Sequence, residues 1–184
     1  NAIFVKKKKM NILKYYKLLN YLKNQKPKIL IHVAALSRPM TIHEKNVNLS
    51  IETNIIGTAN VVRACQELNI KLIYFSTNYV YPCIKGNYKE TDPLKPINNY
   101  ALTKLGGECS VMMLKNSWIL RLSMTDYPFA YDKAYKNAYS SFIYNKDFAK
   151  ILPYLLKEKG VINIGGKRQT IYDFAKKTNK KIKP

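Results

Sequence analysis

The sequence predicts an α/β fold, a parallel sheet with flanking helices, followed by a small C-terminal α+β appendage. Three observations predict it. Apolar runs of strand length recur at residues 28–35, 71–75 and 117–122, as in strands covered on both faces. Between them lie segments whose apolar residues return every three or four positions, the period of a helix. After Met124 the texture becomes tyrosine-rich and loop-like, which divides the chain into residues 1–124 and 125–184.

Residues 11–25 set Ile12, Tyr15, Tyr16, Leu19 and Leu22 on one helical face, and Pro27 stops the helix because the residue before a proline avoids helical backbone. Lys28-Ile29-Leu30-Ile31-His32-Val33-Ala34-Ala35 is the first strand, expected to be buried on both faces. Residues 48–68 carry Ile51, Ile55, Ala59, Val62 and Cys65 at helical spacing, and Asn69-Ile70 leads into the strand Lys71–Phe75. A loop with Pro82, Gly86, Pro93 and Pro96 precedes a helix from Asn99 to Leu114, for which Asn98 can accept a hydrogen bond from a first-turn N–H. Ser117–Leu122 is the third strand, and the intervening helices make the right-handed crossovers of a parallel sheet. In the appendage a helix runs from Asn145 to Lys157. A strand from Gly160 closes in the turn Gly165-Gly166, and a last helix starts near Thr170 and gives way to lysines at 176–183.

The 184 residues include 32 Lys plus Arg and 11 Asp plus Glu, a formal net charge of +21, yet 47% are hydrophobic. That apolar fraction suffices for a core and excludes charge-driven disorder. The lysines spread along the chain, with Lys6–Lys9 the densest run, so the charge reads as a bias of composition and no nucleic-acid partner is expected. A positive field also suits a diphosphate-bearing ligand. No apolar run approaches the roughly 18 residues of a membrane span and no signal-peptide pattern follows Asn1, so the expectation is no membrane and a cytoplasmic location. Cys65, Cys83 and Cys109 form no CxxC pair, and with His32 and His43 they lack the spacing of a zinc site. No metal is expected, and the cysteines read as core filling. Gly165-Gly166-Lys167 lacks the spacing of a P-loop, while Gly57, Gly106 and Gly107 suit close helix packing.

Tyr100 and Lys104 lie four apart on the predicted helix and so share one face. An ammonium beside a phenol lowers its pKa and fits it to exchange a proton near neutrality. The pair also reads as a solvated helix face, since the chain holds 15 tyrosines. Thr77 closes the segment after the strand 71–75, at the end of the sheet where α/β folds bind ligands. It can orient a carbonyl that Tyr100 protonates, or serve as a strand-end turn.

Together these residues resemble the extended short-chain dehydrogenase/reductases, and among them the dTDP-4-dehydrorhamnose reductases. The resemblance rests on His32-Val33-Ala34-Ala35-Leu36, Asn54-Ile55-Ile56-Gly57-Thr58-Ala59-Asn60, Ser76-Thr77-Asn78-Tyr79-Val80-Tyr81, Tyr100 to Lys104, and Ile164-Gly165-Gly166 with Tyr172-Asp173-Phe174-Ala175, in family order over about residues 28–176. It implies a Rossmann-like sheet, NADP or NAD as cofactor, and reduction of a 4-keto nucleotide sugar. Thr77, Tyr100 and Lys104 would be the catalytic triad, with Asn78 where the family usually has Asp. Lys104 would lower the Tyr100 pKa and bind the nicotinamide ribose, with Ala34, Ala35, Ser76 and Tyr100 also at the cofactor. Asn54 would be either a cofactor neighbour or an ordinary polar helix residue.

The family opens with a strand and a GxxGxxG turn, and no glycine precedes Gly57 here. The expectation is therefore a sheet truncated at its N-terminal side, or residues 1–10 as a divergent remnant, with a shortened substrate lobe over 125–184. Two rivals follow: a catalytically inactive, reductase-like binding or regulatory subunit, and an NAD-dependent sugar-nucleotide epimerase or dehydratase with the same triad. A homodimer or a protein partner fits either.

Overall fold

In a computed structural model, which describes residues 2–184, the chain begins with α1 (Tyr15–Gln25), β1 (Ile29–His32), α2 (Ile42–Lys45) and α3 (Val47–Ile51). A π-helical turn, Glu52–Ile56, leads into α4 (Gly57–Glu67) and β2 (Lys71–Thr77). After a 3₁₀ turn over Asn78–Val80 come α5 (Asn99–Met112), β3 (Ser117–Leu122) and β4 (Met124–Thr125). The remaining elements are β5 (Tyr139–Ser140), β6 (Ile143–Tyr144), α6 (Asn145–Leu155), β7 (Gly160–Ile164), β8 (Gln169–Thr170) and α7 (Ile171–Lys176). No helix among the described residues is long and apolar enough to cross a membrane.

The chain divides into two compact units, the first reaching Leu120 and including Lys159–Ile162, the second Arg121–Glu158 with Asn163–Pro184. The first is built on a sheet in the order β1-β2-β3-β7, with β1 and β2 parallel and His32 opposite Tyr74. Its core joins Leu18, Leu19 and Leu22 of α1 to Val61, Ala64 and Cys65 of α4, Leu72 and Tyr74 of β2, Val111 of α5 and Ile119 of β3. Most of the stripe residues that predicted the helices are buried or half-buried here, while Tyr16 and Ile51 are exposed. Local signals act as expected: Lys26 takes left-handed backbone (φ 46°) just before Pro27 and donates its N–H to the Leu22 carbonyl, ending α1. Asn98 caps α5 by accepting from the Ala101 N–H at 2.8 Å.

In the second unit β4 pairs with β6 in parallel and β5 with β8 antiparallel. Phe129, Ala134, Tyr144, Phe174, Ala175 and Ile182 form its small core.

Four expectations are corrected. The strand 28–35 shortens to β1, at the sheet edge, with Ile31 and Val33 36% and 52% exposed instead of covered. The helix 48–68 is interrupted by the π-helical turn at Glu52–Ile56, which a periodicity count does not register. Only Cys65 fills the core, since Cys83 and Cys109 are exposed. The lysine tail is anchored: Ile182 is buried, and the Lys183 N–H and carbonyl bond to the Asp132 carbonyl and the Ala134 N–H, both at 2.9 Å.

Candidate active site

β2 runs two residues past the apolar stretch that marked it, so Ser76 and Thr77 are strand residues at its C-terminal end. Thr77 Oγ1 accepts from the Tyr79 N–H at 3.3 Å, which starts the 3₁₀ turn. The Thr77 side chain also acts on the Tyr100 phenol, pulling its pKa down. The strand-end turn and the approach to Tyr100 are thus simultaneous uses of one hydroxyl.

Tyr100 sits in the first turn of α5, and that turn is clamped by the α2 segment. Glu44 Oε2 accepts from Asn99 Nδ2 at 2.6 Å and Glu44 Oε1 from the Asn99 N–H at 3.3 Å, while the His43 carbonyl accepts from Asn99 Nδ2 at 3.3 Å. The His43 ring packs 5.2 Å from the Tyr100 ring, and Tyr79 meets Tyr100 edge-on at 6.4 Å. Burial pushes the Tyr100 phenol above the ordinary tyrosine range, against the opposing pull of the Thr77 hydrogen bond and the Arg38 charge.

Lys104, one turn further on, is only 3% exposed, and its Nζ lies 4.1 Å from the centroid of the Tyr74 ring. Burial pulls the ammonium down to about 7, with the Glu108 carboxylate acting against it. The expectation that Lys104 lowers the Tyr100 pKa is therefore corrected. Desolvation dominates the phenol, and the charge pulling it down is that of Arg38. His32, behind Lys104, bonds Thr58 Oγ1 through Nε2 at 3.1 Å, and burial together with the Lys104 charge holds it neutral, down to about 3.

Asn54 belongs to the π-helical turn and is 1% exposed. Its Oδ1 accepts from the Leu36 N–H at 2.8 Å, and its Nδ2 donates to the Leu36 carbonyl at 2.9 Å and to Thr103 Oγ1 at 3.0 Å. Thr103 in turn donates to the Tyr100 carbonyl at 2.8 Å. One amide thereby ties the segment after Ala34 and Ala35 to the helix that carries Tyr100 and Lys104. Ala34 is exposed and Ala35 half-buried, leaving a small-residue shelf beside the clamp. Ser76 Oγ is buried and has no hydrogen-bond partner among the described residues.

Thr77 and Tyr100 are brought into contact, Asn54 lies behind the shelf, and Lys104 is turned onto Tyr74. Sequence reasoning missed His43, Glu44, Arg38 and Tyr74. The first three fall in a stretch without periodicity, whereas Tyr74 was signalled by its position two residues before Ser76 on the same strand face.

Methionine adenosyltransferase 2 subunit beta of Xenopus laevis is 34% identical over 87 residues, 47% of this chain and 26% of that protein. dTDP-4-dehydrorhamnose reductase of Aggregatibacter actinomycetemcomitans is 33% identical over 102 residues, 54% of this chain and 34% of that protein. The chain thus spans about a quarter to a third of the length of these relatives. The crystal structure of dTDP-4-dehydrorhamnose reductase from Bacillus anthracis in complex with NADP superposes with a TM-score of 0.87 at 24% identity, over 97% of this chain and 70% of that one, which bears out the Rossmann-like α/β sheet. With the RmlD substrate binding domain family matching residues 1–164, most of its length, the chain belongs to that family.

Proposed function

We propose that this chain carries the proton-donating site of an NAD(P)-dependent sugar-nucleotide oxidoreductase of the dTDP-4-dehydrorhamnose reductase type, acting on a 4-keto nucleotide sugar. The observation that carries the reading is Thr77 at the C-terminal end of β2 acting on the Tyr100 phenol, with Lys104 one turn along the same helix. The residues present fit a dinucleotide: Ala34 and Ala35 offer a shelf without bulky side chains, Ser76 Oγ is an unmatched buried hydroxyl, and Lys104 supplies a cation for ribose hydroxyls. The nicotinamide, when bound, supplies hydride to the carbonyl carbon.

With Thr77 acting on the Tyr100 phenol, the two hydroxyls together would orient a ketone oxygen. Because burial holds its pKa high, Tyr100 keeps its proton across the neutral range and yields it as negative charge develops on that oxygen. Lys104, pulled down to about 7 by burial, carries its ammonium in a large fraction of molecules at neutrality and can hold the ribose hydroxyls one turn from Tyr100.

A second reading, a reductase-like subunit without turnover, is favoured by the likeness to proteins named methionine adenosyltransferase 2 subunit beta. Calorimetric titration with NADPH and NADH, followed by loss of nicotinamide absorbance in the presence of a dTDP-4-keto sugar, separates the two. Turnover that falls about 10²–10⁴-fold in Tyr100→Phe supports the reductase. Turnover untouched by that substitution refutes the role of Tyr100, and dinucleotide binding without turnover supports the subunit.

A further inference from the structure

Tyr74 takes no part in the chemistry just described, yet it is fully buried against the residue that the chemistry needs charged. The face of its ring lies 4.1 Å from Lys104 Nζ, and its hydroxyl donates to the main-chain carbonyl of the same lysine at 3.3 Å. The fit at the hydroxyl end is tight. A Cβ built on Gly107 would lie 2.5 Å from the Tyr74 hydroxyl and 3.0 Å from the Asn54 carbonyl, so the tyrosine reaches Lys104 only because position 107 has no side chain. Thr58 hydrogen-bonds the Tyr74 hydroxyl as well, and the same threonine holds His32, whose ring stands 5.5 Å from that of Tyr74.

We propose that Tyr74 is a positioning residue for Lys104, its ring face holding the ammonium and its hydroxyl the lysine backbone, so that the lysine stays charged and fixed one turn from Tyr100. An ammonium 3% exposed has lost most of its water, and an aromatic face is the kind of contact that replaces it most effectively where solvent is excluded. The other titratable groups around Lys104 are identified by their elements. Glu108, on α5, favours the ammonium. His32, on β1, is neutral above about 3 and adds no charge in the range where Lys104 titrates. Tyr100, on α5, and Tyr74 itself, on β2, are both held protonated by burial. The ring face is therefore a separable contribution to the charge state of Lys104. The importance of that charge rests on the reading of Thr77, Tyr100 and Lys104 as a dinucleotide site, but the contact itself does not.

The test is the titration of Lys104 in the full chain, followed by NMR of lysines labelled with ¹³C at Cε and assigned by loss of the signal in Lys104→Met. Tyr74→Phe keeps the ring face and leaves the midpoint near that of the unsubstituted chain. Tyr74→Leu removes the face and lowers the midpoint by about one pH unit, a tenfold loss of proton affinity. A Tyr74→Leu midpoint that is unchanged or higher overturns the proposal, as does an equal drop in Tyr74→Phe, because mere core filling moves neither in this pattern. Should Tyr74→Leu fail to fold, pentafluorophenylalanine at position 74 keeps the shape while reversing the charge distribution of the ring. Relative to Tyr74→Phe it lowers the midpoint if the proposal holds, and an unchanged midpoint refutes it. Titration of the unsubstituted chain with NADPH and NADH is measured alongside. Absence of binding there counts against the dinucleotide site alone, since the Lys104 midpoint is read without any ligand.

Discussion

Replacing Asn54 by alanine should loosen the segment after Ala34 and Ala35 and destabilise the first unit together, because one side chain serves both. Asn54 is 1% exposed and makes three hydrogen bonds of 2.8, 2.9 and 3.0 Å. Two of them satisfy the N–H and the carbonyl of Leu36, which is half-buried and lies 18 residues away. Each lost bond removes about 1 kcal/mol, and a buried backbone group left unpaired costs about 1–3 kcal/mol. Leu36 can recover part of this from water, and alanine is the better helix former, so the net loss is about 3 kcal/mol. For a chain of this size that corresponds to a fall of about 6–12 °C in the melting midpoint. Thr103 keeps its bond to the Tyr100 carbonyl, so the helix itself should survive.

Urea unfolding followed by far-ultraviolet circular dichroism measures the loss, with Asn54→Asp as the informative partner. The aspartate keeps an acceptor for the Leu36 N–H but sets a carboxylate against the Leu36 carbonyl, which raises its pKa above the unfolded value. Over that interval the native state binds the extra proton, so Asn54→Asp should gain stability relative to the unsubstituted chain as pH falls from 7 towards 4. An Asn54→Ala variant within about 1 kcal/mol of the unsubstituted chain would refute the clamp, since even the low end of the hydrogen-bond range predicts more.

Acid stability should depend on His32. Its folded-state value near 3, against an ordinary 6.5, means that only the unfolded chain takes up this proton between those limits, so stability falls with pH across that window. The contribution is at most about 5 kcal/mol, and His32→Gln, which can still bond Thr58, should flatten the decline in melting midpoint between pH 7 and 4; parallel curves would dismiss it. The neighbouring glycines of α5 should behave oppositely. Gly107→Ala puts a Cβ 2.5 Å from the Tyr74 hydroxyl and 3.0 Å from the Asn54 backbone and should cost about 1–3 kcal/mol, whereas Gly106→Ala meets the movable Ile55 side chain, Cδ1 at 2.9 Å and Cγ1 at 3.0 Å, and should lie within about 0.5 kcal/mol of the parent in chemical denaturation.

Whatever depends on a few consecutive residues was settled by the sequence alone. The end of α1 before Pro27, the Asn98 cap, the helical stripe of α1 and the apolar runs of β2 and β3 each report a local rule of backbone sterics or periodicity, and each element formed accordingly. The same locality made Thr77 legible at a strand end, and Tyr100 and Lys104 legible on one helix. The order of five short motifs was enough for the family.

Only the tertiary structure decided what these groups are bonded to. Asn54 reaches Leu36 and Thr103, and Tyr74 reaches Lys104, across 18, 49 and 30 residues, distances over which no periodicity speaks. It also made β1 an edge, with Ile31 and Val33 partly in solvent although their run reads like a buried strand. The sharpest reversal concerns charge. The spacing of Tyr100 and Lys104 argued that an ammonium depresses a phenol, but in the fold both groups are desolvated, the phenol moves up and the ammonium moves down. Sequence spacing specifies which side chains leave a helix on the same side, while a pKa follows from how much water and which neighbours surround each group. Those are properties of the packed whole.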